Sequence, residues 1–383
     1  MKWLVIRPED PLIQSDRLNT VWNHVCSTVF RNPSGVCSSV SRNPSGGDCS
    51  TVFPDSSGGL TVLHTIDDLD NLLKKPAVLT GCRVLFVIAL GRGGINLTLS
   101  AMIRLLRLNP GCMDGSAAAM IVDGEMEMYT KSAASELALA LSMAGCTLIG
   151  RCLVEGTGSL YNFTVTARNL STDLFTAYKE SAAELAMRLS DFSFPHRGAP
   201  RILCVHACNK ATSNTLHLWD YVKEGIRPGS EIREISLRNK DVKDCAGCSF
   251  ETCMYYSKNL SCFYGGTIVE DVYPALEWCD RLVLLCPNYN DALSASLTAM
   301  INRLTSLFRK KPFYDKQLFA LIVSGYSGSD LVARQLIDAL SMNKGFTLPG
   351  NFALTATANL PGSIDRITGI EEKARRFGEY LSL

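Results

Sequence analysis

The chain of 383 residues is 46% hydrophobic and 20% charged, a globular composition with core material for two or three domains. A net charge of +1 removes the electrostatic basis for nucleic-acid binding, and no apolar run approaches the length of a membrane span. The apolar run at the N-terminus is too short for a signal peptide, so the 15 cysteines, including Cys82, Cys146, Cys204 and Cys286 within apolar runs, are expected as reduced residues of a cytoplasmic protein.

In chain order, Leu4-Val-Ile6 reads as a strand and Asp16 to Val25 as a helix. A local repeat follows, opening at Cys26, Cys37 and Cys49 and closing in Ser-Gly each time, twice as Asn-Pro-Ser-Gly. Its turns and scarce apolar anchors predict an exposed insertion over about 26–60, and its cysteines lack the histidine that would favour a metal. Thr61-Val-Leu63 is a short strand and Ile66 to Leu73 a helix.

A larger duplication comes next. Arg83-Val-Leu-Phe-Val-Ile-Ala-Leu90 and Arg281-Leu-Val-Leu-Leu-Cys286 are both buried-strand patterns. The helical segments Leu99–Leu106 and Leu297–Leu304 keep the same spacing from them. Further pairs follow in order: Ile121-Val-Asp-Gly124 with Ile322-Val-Ser-Gly325, Ala140-Leu-Ser-Met143 with Ala339-Leu-Ser-Met342, and Cys146-Thr-Leu148 with Phe346-Thr-Leu348. Asn162-Phe-Thr-Val-Thr-Ala167 closes the series against Asn351-Phe-Ala-Leu-Thr-Ala356. Alternating strands and helices in two copies predict two tandem α/β domains with doubly wound parallel sheets, 1–193 and 201–383, joined by a Pro/Gly-bearing linker over 194–200.

The second copy opens with the stretch on which the functional reading turns. Ile202 to Val205 is a buried strand, Thr212-Ser-Asn-Thr215 is a hydroxyl-rich loop, and Leu216, Leu218, Trp219 and Val222 recur at helical spacing. Strand, polar loop and helix N-terminus make an anion site, with Lys210 as an added cation, or else an ordinary N-capped helix. Neither a dinucleotide glycine motif nor a Walker lysine motif is present, and the loop suits a terminal phosphate such as that of FMN.

Several landmarks in the second half occur in the order seen in one family. They are the closing Ser213-Asn-Thr215 of the first loop, the cysteine-rich run before Gly265-Gly-Thr-Ile-Val-Glu-Asp271, Pro287-Asn-Tyr289 after a strand, Asn302-Arg303 expected at a helix end, and Ser324-Gly-Tyr-Ser-Gly328. Over roughly 200–365 the chain resembles the flavodoxin-like NAD(P)H-dependent FMN reductases, although the family's opening Gly-Ser-Pro is replaced here by Ala207-Cys-Asn209. The first half reads as a degenerate copy. The resemblance implies two flavodoxin-like domains, with FMN bound in the second.

On that resemblance, Asn209, Lys210, Thr212, Ser213, Asn214 and Thr215 hold the phosphate. Pro287, Asn288, Tyr289 and Asn290 offer backbone N–H groups and an aromatic edge to the ring, and Gly325, Tyr326, Ser327 and Gly328 cover it. NADH or NADPH is the reductant. The flavin carries the hydride, so no catalytic acid or base is singled out. The implied function is reduction of a small acceptor, such as a quinone, azo compound, nitro compound or conjugated alkene; the alternative is an electron-transfer protein serving a partner. Reductases of this kind pair to cover their flavins, which implies a homodimer or a pseudo-dimer within one chain.

Cys245, Cys248, Cys253 and Cys262 are spaced C-x2-C-x4-C-x8-C. Four thiolates could hold an iron–sulfur cluster or zinc, while the interleaved Phe250 and Tyr255 suit a metal-free packed loop. In the first half, Glu9, Asp10 and Asp16 stand where the second half has its phosphate loop, Pro8 and Pro11 lack N–H donors, and Ala89-Leu-Gly91 replaces Pro287-Asn-Tyr289. One FMN per chain is therefore expected.

Overall fold

In the computed structural model, which describes residues 2–30, 60–75, 79–194 and 198–383, the chain forms two units, Met1–Ser193 and Phe194–Leu383. Residues 31–59 of the cysteine repeat and 195–197 of the linker lie outside the described residues. Cys26 to Val29, where the repeat opens, form the end of a helix.

The first unit runs β1 (Lys2–Ile6), α1 (Asp16–Val29), β2 (Leu60–Leu63), α2 (Ile66–Leu73), β3 (Cys82–Leu90), α3 (Leu97–Leu108), β4 (Ala117–Gly124), α4 (Thr130–Met143), β5 (Thr147–Gly156), α5 (Thr164–Leu170) and α6 (Leu174–Asp191). The second runs β6 (Arg201–His206), α7 (Asn214–Gly225), β7 (Glu231–Ser236), α8 (Phe250–Lys258), α9 (Tyr273–Trp278), β8 (Arg281–Pro287), α10 (Ala295–Lys310), β9 (Gln317–Ser324), α11 (Ser329–Leu336), β10 (Ala353–Thr357) and α12 (Ile370–Leu381).

Every strand pairing within these sheets is parallel, in the orders β2-β1-β3-β4-β5 and β7-β6-β8-β9-β10. Taken unit by unit, both orders are 2-1-3-4-5, the flavodoxin-like winding. The central strands are apolar along their length because each sheet has helices on both faces: all of β4 is buried, as is β8 up to Cys286. Polar residues set where helices begin. Ser15, Asn96, Ser213 and Ser294 each cap a helix by accepting the N–H three residues on. Thr65 and Asp68 form a reciprocal capping box on α2.

The two sheets also share an irregularity. From the Ala117–Thr147 pair to the Met120–Leu153 pair, the chain advances three positions on β4 and six on β5. From Gln317–Thr347 to Ala320–Ala353 it advances three on β9 and six on the chain entering β10. The three-residue excess in each unit contains one left-handed residue, Arg151 at φ +50° and Asn351 at φ +52°. Arg83 and Arg281, at matching register, each donate to a carbonyl closing the last helix of their unit, Phe192 O and Leu381 O.

Two expectations need correction. The register equates β10 with the outer half of β5, so Asn162–Ala167 is not the counterpart of Asn351–Ala356; it forms a helical turn and the start of α5. The likeness is of residue type without shared register. Asn302-Arg303 lies inside α10, which continues to Lys310 because apolar spacing persists through Leu307.

Candidate functional site

The loops after β6, β8 and β9 open side by side at the carboxyl ends of adjacent strands, where open α/β sheets bind ligands. In the first of them, Asn209 folds the loop on itself: its side-chain oxygen accepts from Ala211 N at 3.2 Å and its carbonyl from Thr212 N and Ser213 N. Ser213 then caps α7. The N–H groups of Asn214 and Thr215, the first in α7, have no partner among the described residues and are free for an anion. Lys210 is exposed on the loop.

Asn214 does more than the sequence suggests. Its Nδ2 donates to Ala358 O at 3.1 Å and Leu360 O at 2.9 Å, tying α7 to the segment after β10. Its Oδ1 is buried without a partner among the described residues. Asn288 mirrors it across the site, donating through Nδ2 to Ser324 Oγ at 3.1 Å and Ser327 O at 2.9 Å, with its own Oδ1 buried and unpartnered. Two orphaned buried acceptors above adjacent strands fit a ligand that donates hydrogen bonds, as FMN does.

The loop after β8 is a tight turn. Tyr289 and Ala292 exchange both backbone bonds around Asn290 and Asp291, at φ +52° and +59°. Asn288 N donates to Val323 O and Tyr289 N to Ala292 O, and Pro287 has no N–H. The expectation that Pro287, Asn288 and Tyr289 present backbone donors to a ring is therefore corrected: the turn consumes them. Side chains remain for the task, with Tyr289 half exposed and Tyr326 82% exposed, its hydroxyl accepting from Asn359 Nδ2 at 2.7 Å. Gly328 has φ +84°, a conformation glycine adopts freely, and a Cβ there would press on the Asp291 carboxylate of the loop after β8.

Two contributors escaped the sequence reading. His206, completely buried at the end of β6, accepts the Cys208 N–H through Nδ1 at 3.2 Å. Arg238, beyond β7, brings a cation toward the loop: burial pushes the Cys208 thiol up to about 11 and raises Tyr289, and the Arg238 charge opposes both shifts. Neither residue belongs to a motif, and His206 reads as the end of an apolar run.

The cysteine segment is stapled to α10. Arg303 donates to Lys243 O at 3.3 Å and Gly265 O at 2.6 Å, and Asn302 donates to Asp244 Oδ1, so this pair clasps both ends of the segment. Cys245 is exposed; Cys248, Cys253 and Cys262 are half-buried around α8, capped by Ser249. Among the described residues no three His, Cys, Asp or Glu side chains converge to hold a metal ion. Cys253 lies beside Cys248, with Cys262 close by, and the four thiols together do not form a ready-made cluster site.

The first unit fills the equivalent hollow with its own side chains. Asp10 is buried and accepts Leu97 N, the first N–H of α3, at 2.9 Å and Leu12 N at 3.1 Å. Arg17, in the first turn of α1, donates to both carboxylate oxygens of Asp123 at 2.9 and 3.2 Å. It also donates to the carbonyls of Gly124, Gly156 and Gly158. Desolvation raises the Asp123 carboxyl above its ordinary range, and Arg17 opposes that rise. Tyr129 caps α4 at φ +80° where Gly328 caps α11.

A cavity of about 610 Å³ lies farther along the second sheet, between the starts of α11 and α12, lined by Ser327, Gly328, Thr355, Thr368 and Lys373. It borders the loop after β9, and one strand, β8, separates β9 from β6.

Comparison with known proteins bears on the same residues. Residues 200–359 match the family model of the NADPH-dependent FMN reductases. The match contains the loops after β6, β8 and β9 and leaves out the first unit. An iron–sulfur flavoprotein of Methanocaldococcus jannaschii is 25% identical over 158 residues, 40% of this chain and 72% of that protein. An NAD(P)H:quinone oxidoreductase of Methanothermobacter marburgensis aligns at TM-score 0.39 and 14% identity, over 49% of this chain and 98% of that one. An azoreductase of Bacillus anthracis aligns at 0.36 and 16%, over 47% and 99%. Among the described residues no helix is long and apolar enough to cross a membrane.

Proposed function

We propose that the FMN-reductase unit binds one FMN per chain and works as an NAD(P)H-dependent oxidoreductase on a small acceptor of the quinone, azo, nitro or conjugated-alkene class. The observation that carries this reading is the open anion loop flanked by two orphaned amide oxygens, within the residues that match the FMN-reductase family. When bound, FMN supplies hydride and electron transfer. The chain supplies the rest. Asn214 N–H, Thr215 N–H and Lys210 take the phosphate, and Asn214 and Asn288 Oδ1 accept hydrogen bonds from the ligand. Tyr289 and Tyr326 shield the ring from water. The test is to reconstitute the protein with FMN and follow NADH and NADPH consumption with each acceptor. A flavin spectrum with steady turnover is expected; no bound flavin after reconstitution contradicts the reading.

The relative named an iron–sulfur flavoprotein favours a second reading, electron transfer to a partner protein through a cluster. The exposed Cys245, and the lack of three converging ligands among the described residues, favour flavin without a cluster. Anaerobically purified protein is expected to hold neither iron nor acid-labile sulfide, and finding both in stoichiometric amount would install Cys245, Cys248, Cys253 and Cys262 as ligands. Internal duplication is the proposed origin of the two units, supported by their common strand order and the shared excess at Arg151 and Asn351.

A further inference from the structure

His206 is fully buried at the head of the loop after β6; its Nδ1 is hydrogen-bonded, and its Nε2 has no hydrogen-bond partner among the described residues. Nδ1 accepts the Cys208 N–H at 3.2 Å, and Nε2 lies 3.4 Å from Glu234 Oε1 on the neighbouring strand β7. Glu234 is fixed in turn by Trp219 Nε1 of α7, which donates to its Oε2 at 3.0 Å. Because Nδ1 is an acceptor, the neutral ring carries its proton on Nε2, facing the carboxylate.

We propose that His206 is a positioning residue that latches the phosphate loop, and that protonation of its Nδ1 opens the latch and releases the flavin phosphate. The proposal rests on the assignment of FMN to this loop. An imidazolium has two N–H donors, so a proton on Nδ1 confronts the Cys208 N–H donor with a second donor. The N–H must turn away, and Cys208 heads the run that Asn209 folds and Ser213 ends. The ring is fully buried. The Glu234 carboxyl is drawn down to about 2, first by His206. The other ionisable groups around the pair are Lys223 on α7, Arg238 beyond β7, and the thiols of Cys204, Cys208 and Cys286. Burial pushes all three thiols upward, so over mildly acidic pH they stay neutral.

The experiment measures FMN affinity by fluorescence titration of flavin-stripped protein between about pH 8 and about pH 5, the span in which imidazole titrates. The phosphate monoester itself loses charge near pH 6, in every variant alike. His206→Asn supplies an amide oxygen that accepts the Cys208 N–H and does not titrate; His206→Leu supplies none. The unmodified protein is expected to lose about tenfold more affinity on acidification than His206→Asn, the size of one buried hydrogen bond. His206→Leu is expected to bind weakly at both ends, and His206→Asn to recover most of that loss. Glu234→Gln is expected to move the extra acid loss to lower pH. Superimposable pH profiles for the unmodified protein and His206→Asn overturn the latch while leaving the flavin site intact. Failure of the unmodified protein to take FMN at about pH 8 overturns the flavin assignment itself, and the latch with it.

Discussion

The hollows above the two sheets share a frame and differ in what fills them. Each lies above strands ordered 2-1-3-4-5, beside a serine-capped helix and across from a left-handed helix cap. In the second unit the cap is Gly328, the first N–H groups of α7 are free, and two amide oxygens are left without partners among the described residues. In the first unit the cap is Tyr129, Asp10 occupies the head of α3, and Arg17 closes on Asp123 and three glycine carbonyls. Internal partners thus satisfy in the first unit the kind of polar group that the second leaves open, over sheets of the same strand order. Fold and site are separable here within one chain.

The comparison can be broken from the first unit. Arg17→Met leaves Asp123 buried beside Tyr178 without its cation. Thermal or denaturant unfolding should show a loss of about 3 kcal/mol from that unit, the low end for removing one partner of a buried ion pair. The pH dependence has a definite sign. A carboxyl raised in the folded state contributes stability at pH below its unfolded value and loses it as pH rises through the folded value. The Arg17→Met deficit should therefore shrink on acidification toward the carboxylate range. A deficit that grows there would contradict the role given to Asp123. FMN affinity should not change.

From the second unit, Ser213→Asp keeps a competent cap on α7, since aspartate caps as well as serine, and sets a carboxylate against the phosphate. Circular dichroism should be unaltered while FMN affinity falls by about a hundredfold, near 2.7 kcal/mol. Unchanged affinity would remove the phosphate from this loop. Gly328→Ala is the milder change. It costs about 1–3 kcal/mol for a strained left-handed residue pressed on Asp291, and should lower both melting temperature and flavin affinity. Equal affinity to the unmodified protein would show that the packed loops after β8 and β9 do not touch flavin.

Most of the frame was legible in the sequence. Buried parallel strands read as unbroken apolar runs, as at Val84–Leu90, and Ser213 announces the start of α7. Asp10 was visible as misplaced negative charge, but not that its carboxylate would satisfy Leu97 N. Arg17 was not legible, because an arginine in the first turn of an amphipathic helix looks solvated until the fold sets Asp123 opposite it. The fate of the Asn288 and Tyr289 N–H groups was hidden for a similar reason. Asn290-Asp291 forms the mirror-image turn that Asn-Gly would have signalled clearly. The spacing of Cys245, Cys248, Cys253 and Cys262 said nothing of the clasp by Asn302 and Arg303, which holds the ends of the segment.

The central claim is that one hollow is open and the other is filled, and flavin stoichiometry reads it directly. Protein stripped of flavin, titrated with FMN and quantified against protein concentration, should saturate at one FMN per chain, with Ser213→Asp weakening that site about a hundredfold. Saturation at two would mean that Asp10 and Arg17 do not close the first hollow, and an absence of binding would mean that the second hollow is not a flavin site.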